Sequence, residues 1–253
     1  MTNKLKYFIG NWKMFGNLQS FAIVNRVNKF AHSFNKKPFK SKIVLCVPST
    51  LIYFFKKKMK STYISLGAQN CHHHNGDGAF TGSINASMLK NSGSKYIILG
   101  HSENRSNGES RNLIKKKIKS SLNQNLKVIF CVGESLKEKK LGKTLSVINK
   151  QILGSLEKKI NFKNIIIAYE PVWSIGTNKT PTNAEIKKVA LYIKSLCKKR
   201  FYSKYTLPVI YGGSVNSKNI KIFSLVNDID GFLIGGASQS SIKFIDIIKN
   251  YYK

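Results

Sequence analysis

Four residues whose side chains exchange protons or bind anions lie at the ends of apolar segments in this sequence. Glu170 follows the run NIIIAY, His101 follows KYIILG, and Asn11 and Lys13 follow KYFIG. A carboxylate and an imidazole are common general acid–base groups, and an ammonium group and an amide stabilise anions. Brought together in one fold, the four side chains would form an active site.

Each of these residues also has a plain structural interpretation. Lys13 is one of 39 lysines, most of which should be solvated, but its place after an apolar strand and beside Trp12 favours an inward anion ligand. His101 alone fits a hydrogen-bonded core histidine equally well. Glu170 alone could cap a helix or pair with a lysine. Only the fold decides between these alternatives.

Eight short apolar segments must position these residues. They are rich in β-branched and aromatic side chains, which favour strands, and lie at 6–13, 42–49, 63–70, 95–102, 127–134, 164–171, 208–214 and 231–238. Stretches with helical spacing separate them, such as 18–34 and 183–200. This alternation predicts a parallel sheet closed into a (β/α)8 barrel, with residues 1–253 as a single domain. An open doubly wound sheet is the alternative, but no GxGxxG motif follows the first strand.

The carboxyl ends of the strands in such a barrel share one mouth, where functional groups gather. The four residues named above all fall there. The seventh and eighth predicted strands end in glycine pairs, at 212–213 and 235–236. Backbone N–H groups at these two strands commonly hold phosphate in barrels of this kind.

The chain is strongly basic, with 43 Lys and Arg against 11 Asp and Glu and a formal net charge of +32. Such a surface could bind nucleic acid, a membrane surface or an anionic substrate, or could reflect a compositional bias of the coding DNA. The basic residues are spread over nearly every segment, and 39 of them are lysine, which is poor at bidentate phosphate and base recognition. We therefore favour diffuse bias over a nucleic acid partner.

Other features point to a cytoplasmic protein. No apolar run approaches the ~20 residues of a membrane helix, and the N-terminal segment MTNKLKYFIGNWK has no signal-peptide core. The cysteines, at positions 46, 71, 131 and 197, lack CxxC spacing and fit reduced, buried thiols. The run His72 to His74 suggests a metal site, but three consecutive residues of a regular element cannot all face one ion, so an exposed loop is favoured.

Seven motifs resemble those of the triosephosphate isomerase family. They are GNWKM at 10–14, GAFTG at 78–82, GHSENR at 100–105, CVGE at 131–134, AYEPVWSIGTNKT at 168–180, YGGSV at 211–215 and DGFLIGGAS at 230–238. They occur in the family's order and with its spacing, over most of the chain. Seven collinear motifs make the resemblance specific.

The resemblance implies an aldose–ketose isomerase that interconverts dihydroxyacetone phosphate and D-glyceraldehyde 3-phosphate through an enediol(ate), in glycolysis and gluconeogenesis. Glu170 would be the base that moves a proton between neighbouring carbons. His101 would polarise the carbonyl as a neutral imidazole, a state for which this family is itself a standard example. Lys13 and Asn11 would stabilise the oxyanion and hold the substrate. No metal or organic cofactor is implied.

Further residues receive roles from the same resemblance. Backbone N–H groups would hold the substrate phosphate, and these belong to Gly176, Ser214, Gly235 and Gly236. Four other residues would support the site, namely Glu103, Glu134, Trp173 and Tyr211. Glu103 would pair with the Lys13 ammonium group.

The resemblance also implies a lid over residues 171–181 that excludes water when it closes. Glu134 would hydrogen-bond the Trp173 indole in one lid state, and Tyr211 and Ser214 would latch the other. A second implication is a homodimer, in which residues 71–85 of one chain dock into the other and bring Thr81 close to its active site.

Four positions depart from the family pattern. The lid tip, residues 174–178, has Asn178 in place of the usual glycine, and Pro181 replaces a common alanine and would stiffen the hinge. Asn104 and Ser83 stand where the family usually has Arg and Glu. The Arg and Glu that are replaced would be partners of one ion pair. Because both are replaced, neither leaves an unpaired charge near the subunit interface.

Two other functions remain as alternatives to an active isomerase. One is a basic barrel that mainly binds polyanions and has weak catalysis, and the other is a different phosphate-binding barrel enzyme. The retained acid–base and glycine residues argue against the first, and the EPVWSIGT segment argues against the second.

Overall fold

The computed structural model describes residues 4–158, 160–177, 179–201 and 206–253. Eight strands pair in chain order to form one closed barrel with parallel neighbours. They are β1 (Lys6–Asn11), β2 (Ser41–Cys46), β3 (Ser65–Ala68), β4 (Tyr96–Leu99), β5 (Lys127–Val132), β6 (Ile165–Tyr169), β7 (Val209–Tyr211) and β8 (Gly231–Ile234). Each overlaps one predicted apolar segment, so the predicted (β/α)8 barrel is confirmed.

Helices cover the outside of the barrel. They are α1 (Phe21–Phe34), α2 (Ser49–Lys58), α3 (Ala86–Asn91), α4 (Ser102–Ser106), α5 (Arg111–Asn123), α6 (Leu136–Lys140), α7 (Thr144–Ser155), α8 (Asn183–Phe201), α9 (Ile220–Ser224) and α10 (Ser241–Tyr251). The predicted stretch 18–34 becomes a 3-10 turn followed by α1, and 183–200 becomes α8. Among the described residues, no helix combines the length and the apolar character needed to cross a bilayer.

Apart from the first residues of β2 and β5, the strand residues are buried on both faces of the sheet, which explains why the strand segments are almost continuously apolar. Successive side chains point to opposite faces of the sheet. Along β1, Tyr7 and Ile9 join the cluster inside the barrel, whereas Phe8 packs in the outer layer between strands and helices. The cysteines are free and buried. Burial raises the pKa of their thiols, which keeps them protonated and unreactive.

The barrel fixes the residue that follows each strand. The backbone N–H of Glu170 donates to the Val132 carbonyl at 2.8 Å, and the Gly212 N–H donates to the Tyr169 carbonyl at 2.8 Å. Hydrogen bonding therefore continues past the end of β6 on both sides. The predicted segments extend past the observed strands, because the residues at their carboxyl ends turn toward the mouth of the barrel.

Candidate active site

A cavity of about 270 Å³ opens at the carboxyl ends of the strands. Its lining includes all four candidate acid–base and anion-binding residues, Asn11, Lys13, His101 and Glu170. It also includes the predicted backbone donors Gly176, Ser214, Gly235 and Gly236. The predicted supporting residues Glu103, Glu134, Trp173 and Tyr211 do not line it. The barrel thus gathers residues that lie more than 200 positions apart in the chain.

Glu170 is a buried carboxylate that faces His101. Its Oε1 lies 3.4 Å from Nε2 of His101, and its Oε2 has no hydrogen-bond partner among the described residues. Burial raises the pKa of Glu170 above its ordinary value, and the nearby His101, Cys131 and Lys13 side chains partly offset this rise. A desolvated carboxylate with an unused oxygen is a stronger base than one in water.

Two glycines allow the chain to approach Glu170 closely. A Cβ atom at Gly133 would overlap the Glu170 carbonyl oxygen, and a Cβ atom at Gly212 would lie 2.7 Å from Glu170 Cγ. Glycine alone leaves room at both positions. This packing role could not be predicted from the sequence, because the contacts join the ends of β5, β6 and β7 and form only in the folded barrel.

Replacement of Gly212 by alanine is expected to lower kcat about 10²-fold, because the added methyl group displaces the Glu170 carboxylate and a shift of about 1 Å has that cost. The KM should change much less, since the carboxylate does not hold the substrate. Steady-state kinetics check this. Gly154→Ala is the control, because Gly154 is exposed on α7 and a Cβ atom there would lie closest to the flexible Arg111 side chain, 3.2 Å from its Cδ. Equal kcat values for the two variants would contradict the prediction.

The imidazole of His101 is oriented by the start of α4. Its Nδ1 accepts the backbone N–H of Glu103 at 3.3 Å. A ring nitrogen that accepts a hydrogen bond carries no proton. This places the imidazole proton on Nε2, the nitrogen that faces Glu170 and the cavity. His101 is buried apart from the part that lines the cavity.

Lys13 is held in the mouth by local backbone geometry. Its φ of +56° is left-handed, a conformation that costs a non-glycine residue roughly 1–2 kcal/mol. Its N–H donates to Asn11 Oδ1 at 3.1 Å, and its Nζ lies 2.5 Å from Glu103 Oε1. Gln69, which the sequence analysis did not identify, donates to Asn11 Oδ1 at 3.4 Å. Together these contacts direct the ammonium group and the amide to one side of the cavity.

The glycine pair after β8 is tied to the segment that carries Lys13. The Trp12 indole donates to the Ser238 carbonyl at 2.9 Å, and Gln239 Nε2 donates to the Trp12 carbonyl at 2.8 Å. Ser238 Oγ donates to the Gly235 carbonyl at 2.7 Å. The roles of Ser238 and Gln239 could not be predicted from the sequence, because their partner Trp12 lies at the other end of the chain.

The base of the lid is held by Glu134. Its Oε1 accepts the Trp173 indole N–H at 2.8 Å and the Tyr169 hydroxyl at 3.3 Å. Burial raises the pKa of Glu134, an effect that these hydrogen bonds partly offset. Lys139 Nζ lies 3.7 Å from the centre of the Trp173 ring and 3.0 Å from Glu185 Oε1. The lid base is therefore anchored to both α6 and α8.

Ser174, the first residue of the predicted lid tip, is held by several hydrogen bonds in this structure. It is buried, its Oγ donates to the Lys179 carbonyl at 2.6 Å, and that Oγ lies 3.1 Å from the Tyr211 hydroxyl. Its carbonyl accepts from Ser214 Oγ at 2.8 Å. The contacts of Glu134 and those of Tyr211 and Ser214, which we assigned to separate lid states, therefore occur together here.

Three other positions of the lid are Gly176, Asn178 and Pro181. Gly176 has a φ of +69°, which explains the glycine at this point of the turn. Pro181 is buried and lines a separate cavity with Glu134 and Glu185. Asn178, which departs from the family pattern, lies outside the described residues.

The histidine run does not form a metal site. His72 and His74 pack their rings against Phe80, with centroids 4.4 and 4.9 Å away, in a loop that is half-buried to exposed. Throughout the described parts of the chain, no group of three or more His, Cys, Asp or Glu side chains is placed to hold a metal ion.

Comparison with known proteins gives consistent matches over nearly the whole chain. A family model described as triosephosphate isomerase matches residues 6–251. Triosephosphate isomerase of Alkaliphilus oremlandii is 40% identical over 94% of this chain and 96% of its own, and that of Yarrowia lipolytica is 40% identical over 96% and 98%. The crystal structure of triosephosphate isomerase from Bartonella henselae superposes with a TM-score of 0.88 at 35% identity, covering 98% of this chain and 99% of that one.

Proposed function

This chain belongs to the triosephosphate isomerase family, and we propose that it interconverts dihydroxyacetone phosphate and D-glyceraldehyde 3-phosphate with Glu170 as the catalytic base, as a step of glycolysis and gluconeogenesis. The observation that carries this proposal is the pairing of Glu170 and His101. A buried carboxylate and an imidazole N–H lie 3.4 Å apart and face one cavity that also contains Lys13. This arrangement suits proton transfer beside a carbonyl group.

Glu170 removes the proton from the carbon next to the substrate carbonyl, and the electron pair of that C–H bond moves toward the carbonyl oxygen. His101 donates its Nε2 proton in a hydrogen bond to this oxygen, and Lys13 and Asn11 stabilise the negative charge that develops there. His101 passes the Nε2 proton to this oxygen and takes up the proton of the hydroxyl group on the carbon that Glu170 deprotonated, so that the new carbonyl forms there. Glu170 then returns its proton to the former carbonyl carbon. No oxidant, reductant or metal is needed to balance this sequence.

The phosphate of the substrate would lie against the loops that follow β6, β7 and β8. Backbone N–H groups of Gly176, Ser214, Gly235 and Gly236 are the proposed donors. Their support is that all four residues line the same cavity as Glu170. The lid contributes one of them, so its position affects both phosphate binding and the exclusion of water from the intermediate.

A coupled assay with D-glyceraldehyde 3-phosphate tests the proposed function. Rapid isomerisation by the purified protein, without added metal or cofactor, is the expected result. A folded protein without this activity would contradict the proposal. In that case the alternative of a polyanion-binding barrel becomes testable by the salt dependence of RNA binding.

We further propose that the chain forms a homodimer through residues 71–85. The single chain leaves apolar side chains uncovered at and beside this loop, with Met14 fully exposed, Phe80 42 % exposed and Ile84 37 % exposed. Exposed apolar groups next to a functional site commonly mark an interface. Asn104 is partly buried and Ser83 is exposed in the single chain, and neither carries a charge.

Replacement of Met14 by glutamate is expected to convert the dimer to a monomer, because the carboxylate would be buried without a partner in the interface. Sedimentation velocity measures the change in mass. Leu225→Glu is the control, since Leu225 is 74 % exposed at the end of α9 and lies outside residues 71–85. A wild-type protein that sediments as a monomer would refute the dimer.

We also propose that residues 1–253 form one domain. We propose in addition that the protein acts in the cytoplasm. All described strands belong to a single barrel, which supports one domain. The cytoplasmic location rests on the proposed metabolic role.

A further inference from the structure

Another cavity, of about 540 Å³, lies outside the barrel where α4, α5, α6 and α7 meet. It shares no lining residue with the catalytic cavity. Five of its ten lining residues are basic, compared with 43 of 253 in the whole chain. The basic residues are Arg105, Arg111, Lys137, Lys143 and Lys150. The diffuse distribution of lysine therefore does not account for this concentration of charge.

Acidic groups are few around these five cations. None of them forms an ion pair in the described part of the chain. Glu138 is the single acidic residue among those that line the cavity. Its Oε2 accepts from the N–H of Ser135 at 2.8 Å and from the Ser135 hydroxyl at 2.9 Å, so this oxygen caps α6. The cavity therefore presents a local excess of positive charge.

The cavity also contains two of the four arginines of a chain that otherwise uses lysine. The Arg105 guanidinium is already oriented, because Nε donates to the Gly100 carbonyl at 2.7 Å and Nη2 donates to the Cys131 carbonyl at 3.0 Å. It also lies over the Phe130 ring. A guanidinium has five N–H donors in a planar fork that matches phosphate oxygens, and those not used here remain for a ligand.

We propose that this cavity binds a small anion that carries two or more phosphate groups. A single phosphate cannot neutralise five cations, whereas a linear polyphosphate contacts several of them at once through charge-assisted hydrogen bonds. The cavity is large enough for such a ligand. This site is separate from the proposed substrate phosphate site, and it does not depend on the proposed isomerase activity.

Isothermal titration with inorganic tripolyphosphate tests the proposal on the full chain. Saturating glycerol 3-phosphate is included to occupy the catalytic cavity, and the salt is about 150 mM so that distant charges are screened. The test variant is Arg111→Gln/Lys143→Gln/Lys150→Gln, three side chains that are exposed and that form no ion pair. Arg105 and Gln151 are left unchanged, since both bond to backbone carbonyls behind the active site.

The control variant is Arg26→Gln/Lys29→Gln/Lys36→Gln. It removes the same one arginine and two lysines, also exposed, from α1 and the turn after it. Because α1 follows β1 and α7 follows β5, the two sets lie on opposite sides of the eight-stranded barrel. Both variants should retain the circular dichroism spectrum of the wild type.

The expected result is one bound tripolyphosphate per wild-type chain, at least about 10-fold weaker binding in the cavity variant, and a change within about 2-fold in the control. No binding to the wild type would overturn the proposal. An equal loss in the two variants would also overturn it, because the binding would then belong to the overall charge of +32.

Discussion

Replacement of Glu170 by glutamine is expected to lower kcat at least about 10³-fold, because an amide cannot accept the carbon-bound proton. The side chain keeps its size and its place after β6, so KM should change little. The coupled isomerase assay measures both constants. Glu157→Gln is the matched control, since the ion pairs that Glu157 forms with the described residues, Lys115 and Lys119, lie at the surface, and such pairs contribute little.

The stability of the same variant distinguishes loss of the base from misfolding. Burial raises the folded-state pKa of Glu170 above its ordinary value of 4.5, so the folded protein binds more protons than the unfolded chain between the two values. Wild-type stability therefore falls as the pH rises through this window. The glutamine variant lacks this loss, so its stability relative to the wild type should increase from about pH 4 to about pH 7.

Urea unfolding at the two pH values tests this expectation. A glutamine variant that is inactive and more stable than the wild type near neutral pH would assign both effects to the buried charge. Activity close to that of the wild type would instead remove Glu170 from the role of base. Loss of stability at both pH values would show that the carboxylate is structural.

Replacement of His101 by glutamine is expected to lower kcat about 10²- to 10³-fold, because the substituted amide cannot exchange protons with the substrate oxygens. In the native protein Nδ1 accepts the Glu103 N–H, which leaves the Nε2 proton for the substrate oxygen. Steady-state kinetics with both triose phosphates measure the loss. His32→Gln is the control, because His32 is exposed on α1 and only stacks on Tyr63.

The double variant of Glu170 and His101 adds a test of their cooperation. Residues that act in one proton-transfer unit give non-additive losses. The double variant should therefore be little slower than the Glu170→Gln variant alone. A loss equal to the product of the two single losses would show that His101 and Glu170 act independently, against the mechanism derived from their 3.4 Å contact.

The sequence predicted the barrel well because its signal is local. Each apolar segment contains enough β-branched and aromatic residues to predict a strand, and closure places every strand end at one mouth. Asn11, Lys13, His101 and Glu170 could be assigned to that mouth from their position after a strand alone. The burial of Ser174 could not be predicted, because its contacts are with Tyr211 at the end of β7 and Ser214 in the loop that follows β7.

By itself, the sequence determined the alternation of strands and helices and the family to which the chain belongs, since both are encoded in residues close together in the chain. The tertiary structure alone decided which contacts tune the site. Gly212 packs on Glu170, Ser238 ties the Gly235 segment to Trp12, and five cations from four helical regions share one cavity. Such contacts join segments far apart in the chain, so their distances and burial exist only when the barrel closes.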